Sequence, residues 1–171
     1  GFNHSVARSF KFFINRLRSS KKNKIKATIQ WKESFNLVMQ AHPWIESINK
    51  SYLSNFKDGG GVSHEYSHAL HFFIILREII FENEKPKFSK KISFKKSGKR
   101  KYDKEISLEY KFKNKSLKLI ANSLNNSPIK KIDINFDKNK NLNWHRKLEN
   151  GVEKVEENYE KQKINFFKIT R

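Results

Sequence analysis

The chain has 171 residues and a mass of 20.4 kDa, enough for one domain with a real core. Lys and Arg number 37 against 17 Asp and Glu, a formal net charge of +20, and cysteine is absent, which excludes disulfides and thiolate metal sites. The best apolar run, residues 69–81, is interrupted by Arg77 and Glu78 and is too short to span a bilayer. No signal peptide follows the first residue, and a cytoplasmic location is expected. An excess of base on this scale favours polyanions, so nucleic acid is a candidate partner through the basic flanks. A lysine-rich codon bias would give the same total, and the distribution is more telling. Residues 1–57 carry a net charge of +9 and residues 85–140 a net of +13, whereas residues 58–84 carry −4. An acidic island in a basic chain tolerates a cation.

Taken in order, Val6, Phe10, Phe13 and Leu17 recur at helical spacing and predict a first helix over 4–18. Residues 19–26 read as a charged connector. Trp31, Phe35, Leu37 and Val38, then Ile45, Ile48 and Tyr52, suggest two helical segments split at His42-Pro43. Three glycines, Gly59 to Gly61, break the chain before a helix that begins near Val62 or Ser63 and runs to about Glu84, with Pro86 closing it. Beyond it the period shortens. Phe88, Ile92 and Phe94 hint at a strand, and Ile106, Leu108, Tyr110 and Phe112 alternate with polar residues. Residues 104–125 would also serve as one helix. Ile132, Ile134 and Phe136 alternate again, and Trp144, Leu148, Val152, Val155 and Tyr159 mark a last amphipathic helix with a Glu-rich back. Trp31, Trp44 and Trp144 fall on apolar stripes and are expected to anchor the core. The expected fold is α+β and mainly helical, a single domain over 1–171 with a small β region.

The central helix carries His64-Glu65-Tyr66-Ser67-His68, an H-E-x-x-H pattern. On a helix, positions four apart lie above one another, so His64 and His68 can reach one zinc ion while Glu65 sits beside it. Glu65 would then deprotonate the zinc-bound water that attacks a peptide carbonyl. No third ligand declares itself. His71 is about 10 Å along the axis from His64 at about 1.5 Å per residue. Glu78, Glu82 and Glu84 are farther still. His145, Glu149, Glu153 and Glu156 on the last predicted helix are available, although a solvated acidic face explains the glutamates better.

The stretch GGGVSHEYSHALHFF resembles the segment G-x-G-S-L-A-H-E-W-G-H-A-L-D in zincin-like domains of large polyvalent proteins carried by phages and mobile elements. The match rests on Gly59, Gly61, His64, Glu65, Tyr66, His68, Ala69 and Leu70, with Ser67 in place of glycine and His71 in place of Asp. The resemblance implies a zincin-like metallopeptidase domain acting on a peptide or protein substrate. The family's later acidic segment, which would complete the site, is not present. The chain is then either a piece lacking the C-terminal part of the domain or a degenerate member. The alternative is a basic nucleic-acid-binding protein in which the motif is accidental.

Overall fold

A computed structural model describes residues 4–20, 23–34, 66–97, 100–122, 124–136, 140–149, 152–159 and 162–169. Among them are two helices, α1 (His4–Ser19) and α2 (Ser67–Phe81), and eight strands. The strands are β1 (Ile25–Ser34), β2 (Lys87–Ser97), β3 (Arg100–Phe112), β4 (Lys115–Asn122), β5 (Leu124–Phe136), β6 (Asn141–Glu149), β7 (Val152–Tyr159) and β8 (Gln162–Ile169). They form one sheet in the order β2-β3-β4-β1-β5-β6-β7-β8. The expectation of a mainly helical, zincin-like domain is therefore corrected: the chain is mostly strand.

Two segments account for most of that difference. Residues 25–32 alternate strictly, with Ile25, Ala27, Ile29 and Trp31 buried while Lys26, Thr28, Gln30 and Lys32 lie on the other side. This period of two makes a half-buried strand, and Trp31 belongs to it and not to a helix. Residues 144–159, expected as a helix, are instead the antiparallel pair β6 and β7, with Glu149 opposite Val152. The two residues joining the strands are Asn150-Gly151, the dipeptide most typical of a two-residue hairpin connection. Alternation carried by Leu142 and Trp144 outweighs the spacing of three and four that the same stretch also offers.

β1 is the hinge of the topology. It runs parallel to β4 on one side and antiparallel to β5 on the other. Strands β2, β3 and β4 form a meander on its left, and β5 to β8 a second one on its right. Among the described strands, β1 and β4 make the one parallel pair, since every other pairing is antiparallel.

Both helices lie on one face of this sheet. α2 crosses β4 and β1, and α1 lies against β6, β7 and β8. The residues of α2 explain its place: Ala69, Phe72, Phe73, Leu76, Ile80 and Phe81 are buried against Leu117, Leu119 and Ile29. Phe10 of α1 meets Phe72 of α2 edge to face at 4.3 Å, and Phe72 packs at 5.4 Å from Trp144. The fully buried Trp144 donates its Nε1 proton to Ser9 Oγ at 3.0 Å, which fixes α1 on β6 and contributes about 1 kcal/mol. At the other end of α2, Lys115 donates to the Ile80 carbonyl at 3.2 Å and pairs with Glu84 at 2.8 Å. A cation at the carbonyl end of a helix opposes its dipole.

Candidate functional site

The zinc motif straddles the edge of the described chain. Helix α2 is described from its N-cap, Tyr66, so His64 and Glu65 lie outside the described residues, as do the two segments predicted around Leu37 and Ile48. His68 sits in the first turn of α2, where it is exposed to solvent. Its ring stacks on Trp31 with centroids 6.5 Å apart and 29° between the planes. His71 is exposed one turn farther on. Among the described residues no group of three or more His, Cys, Asp and Glu comes together as a metal site. His145 and Glu156, considered above as zinc ligands, pair across β6 and β7 on the face away from the helices. They are far from His68 in the fold, on the opposite side of the sheet.

What does gather beside His68 is a row that the strands assemble across the sheet. Trp31 of β1 is opposite Lys130 of β5, and Lys130 is opposite Arg146 of β6. All three share the helix-covered face with Ile29, Ile132 and Trp144, one step nearer the sheet end. Lys130 holds its ammonium 5.0 Å from the centre of the Trp31 ring and pairs with the carboxylate of Glu33. Glu33 is only 7% exposed, so the pair is largely shielded from water. Burial pulls the Arg146 guanidinium below its ordinary pKa, with the Glu33 carboxylate opposing that pull. It stays protonated at neutral pH all the same. Trp31 is 2% exposed, and its indole Nε1 meets no acceptor among the described residues. Among the described residues, Lys130, Arg146, Glu33, the exposed His68 imidazole and the buried Trp31 N–H thus lie toward one end of the helix-covered face.

Reading residues in order misses this patch. Its members come from residues 31–33, 68, 130 and 146, and only the pairing register brings them into one row. A signal did exist in Lys130 and Arg146, which occupy positions where the alternation of β5 and β6 would place apolar side chains.

The opposite face of the sheet is mostly polar, with Ile120 and Ile129 among its apolar members. Lys26, Lys32, Lys87, Lys91, Lys111, Lys118, Lys131, Lys147 and Lys154 lie there with Glu105, Glu109, Asp133 and Glu156, as the strand registers require. Several of these charges are paired within the face: Lys131 with Asp133, Lys147 with Glu156, and Lys111 with Glu109. Much of the basic excess over 85–140 is thus spread over a flat face, not gathered in one cleft.

No family model matches the chain, and no curated protein does either. Among solved structures it is similar in fold to a dehydrogenase (MviM) from Clostridium difficile, at a TM-score of 0.53 and 14% identity. The likeness covers 94% of this chain and 43% of the dehydrogenase, so the chain spans less than half of that protein's length. The class that fold and comparison define is a mixed, largely antiparallel sheet covered by helices on one face. This corrects the zincin resemblance and the functional expectations built on it. A metallopeptidase of that kind needs a second helix to complete its metal site. Residues 144–159, where that helix was expected, are strands, and among the described residues no His, Cys, Asp and Glu gather as a metal site. The peptidase, hydrolase, phage and mobile-element expectations go with it.

No helix among the described residues is long and apolar enough to cross a membrane.

Proposed function

We propose that this chain is the substrate-facing sheet of a dehydrogenase whose dinucleotide is held by protein outside these 171 residues. The likeness in fold over 94% of the chain carries the proposal, because the partial coverage of the similar dehydrogenase leaves room for a second functional part. The described residues themselves do not fit a dinucleotide. Such a cofactor is held at the carboxyl ends of adjacent parallel strands with helices on both sides of the sheet. Here one strand pair is parallel and both described helices lie on the same face. No step through the cofactor is assigned to this chain.

A dehydrogenase acting on an alcohol also moves a proton at the substrate oxygen, and a titratable group must reach that oxygen. His68 is the candidate. It is exposed, it projects from the start of α2, and its ring is backed by Trp31, which limits the orientations it can take. An imidazole titrates near neutral pH, which suits a group that accepts and returns a proton.

The test is turnover by the complete product of the reading frame, followed by nicotinamide absorbance over a panel of alcohols and hydroxy acids. His68→Asn is expected to lower kcat by about a hundredfold or more while leaving cofactor affinity unchanged, the usual range for losing a general base. Turnover by the variant at the wild-type rate would remove His68 from this role. No dinucleotide-dependent turnover with any substrate would remove the dehydrogenase reading itself.

A further inference from the structure

Three Lys-x-Lys pairs that lie far apart in the sequence, Lys24/Lys26, Lys85/Lys87 and Lys111/Lys113, are exposed and meet at one end of the sheet. The first pair flanks the opening residue of β1, the second leads into β2, and the third closes β3. On the face away from the helices the end row reads Lys87, Lys111, Ser116, Lys26 and Asn135, on β2, β3, β4, β1 and β5. Strands are spaced by about 4.8 Å, so the backbones of Lys87 and Lys26 are about 14 Å apart. Lys24 reaches the same place, because the backbone N–H of Ile25 donates to the Asn114 carbonyl at 3.2 Å, beside Lys113.

Farther along this face the lysines are matched by carboxylates, Lys131 by Asp133 and Lys147 by Glu156. At this end Glu109 engages Lys111 and Glu84 engages Lys115, while Glu82, at the C-cap of α2, belongs to the helix-covered side. No carboxylate among the described residues pairs with Lys24, Lys26, Lys85, Lys87 or Lys113. Lys87 and Lys111 are directly opposite one another, and like charges so placed destabilise a sheet. An anion lying over them removes that repulsion.

We infer that this end of the sheet is a docking surface for the phosphodiester backbone of a nucleic-acid duplex. The charges are complementary. A duplex carries one negative charge about every 1.7 Å of its axis, so a length of about 14 Å holds roughly eight phosphates on its two strands. Lysine meets a phosphate as a point charge, which suits contacts that ignore sequence. The residues among the lysines argue against other polyanions. Thr28, Ser89, Ser116 and Asn135 are polar, so this part of the face has no apolar side chain to enter a bilayer. None of them is aromatic, and a single strand needs rings on which its bases stack. The inference is independent of the dehydrogenase reading.

Fluorescence anisotropy of a short labelled DNA duplex, titrated with the complete product of the reading frame, tests it. Five contacts at about 0.9 each predict a slope near −4.5 for log K against log salt between about 50 and about 200 mM. The triple variant Lys24→Gln, Lys26→Gln, Lys87→Gln should lose about tenfold or more in affinity and flatten the slope by about one per lysine. The charge-matched triple Lys131→Gln, Lys147→Gln, Lys154→Gln should stay within about twofold of wild type. Lys24→Arg, Lys26→Arg, Lys87→Arg keeps the charges and should bind like wild type, which separates loss of contact from loss of fold. Reductive methylation of the unmutated protein, read by mass spectrometry, should find Lys26 and Lys87 protected by the duplex and Lys131 not. Absence of duplex binding overturns the inference, as does equal weakening by the two glutamine triples. Binding to phosphatidylserine vesicles without binding to the duplex also overturns it, in favour of a membrane surface.

Discussion

At the scale of single residues, environment and not identity decides what each histidine can do. His68 is open to water and backed by an indole, while His145 is half-buried on the polar face of the sheet. Burial lowers the pKa of His145 first, followed by the neighbouring Lys147. Glu156 opposes this, Lys131 adds to the lowering and Asp133 opposes it. In the unfolded chain the same imidazole titrates at its ordinary value of 6.5. Between that value and the lower folded one, the unfolded state binds more protons, so stability rises with pH across this window. His145 therefore contributes full stability above about pH 6.5, and part of it is lost as the pH falls below. Chemical denaturation from pH 7.5 down to 5.0 should show midpoints that drop, with a shallower drop in His145→Gln. An identical pH profile in the variant would show that His145 is not the group responsible. From the sequence His68 and His145 are both candidate metal ligands, and the sheet puts them on opposite faces.

At the scale of elements, the turns and caps explain where strands stop. β3 and β4 are joined by Lys113-Asn114, with Phe112 opposite Lys115. Lys113 has φ 49°, a left-handed value that a side chain disfavours. A positive φ at the first central position is what a type II′ hairpin turn demands, and glycine is the residue suited to it. Lys113→Gly should therefore raise stability by about 1 kcal/mol, the low end of the left-handed penalty, read as a higher midpoint in urea with an unchanged slope. A lower midpoint would contradict the assigned strain. Elements with a long, clean period were legible from the sequence: α1 was expected over 4–18 and runs His4–Ser19, and the alternations of β3 and β5 hold. Trp31 and Trp144 are core residues as expected, and Trp44 lies outside the described residues. β1 is hidden in the sequence because Trp31 falls in line with Phe35 and Leu37 ahead of it, whereas its stripe runs back through Ile25, Ala27 and Ile29. The β6–β7 pair was hidden because glutamates and lysines populate both a helix back and the polar face of a strand.

At the scale of the whole molecule, the insertion of β1 between β4 and β5 creates both the core and the row beside His68. Residues 31–33 meet residues 130 and 146 only because a strand near the start of the chain pairs with one about a hundred positions later. Pairings between distant segments leave no local periodicity behind, which is why that row could not be read from the sequence. The H-E-x-x-H pattern stands out for the opposite reason, being short and contiguous. His68 belongs to both descriptions. In the first it needed a partner four residues earlier, and in the second it needs Trp31, which the fold supplies. The lysine-rich face opposite is distributed over the whole sheet, so charge alone does not mark where the chemistry lies.

The claim on which the account rests is a division of labour, with substrate contacts in this sheet and the dinucleotide held elsewhere. A fluorescence titration with NADH and NADPH of two proteins, residues 1–171 alone and the complete product of the reading frame, tests it directly. The account predicts saturable binding of one dinucleotide by the complete product and none by residues 1–171. Saturable binding by residues 1–171 alone, or no binding by either protein, would contradict it.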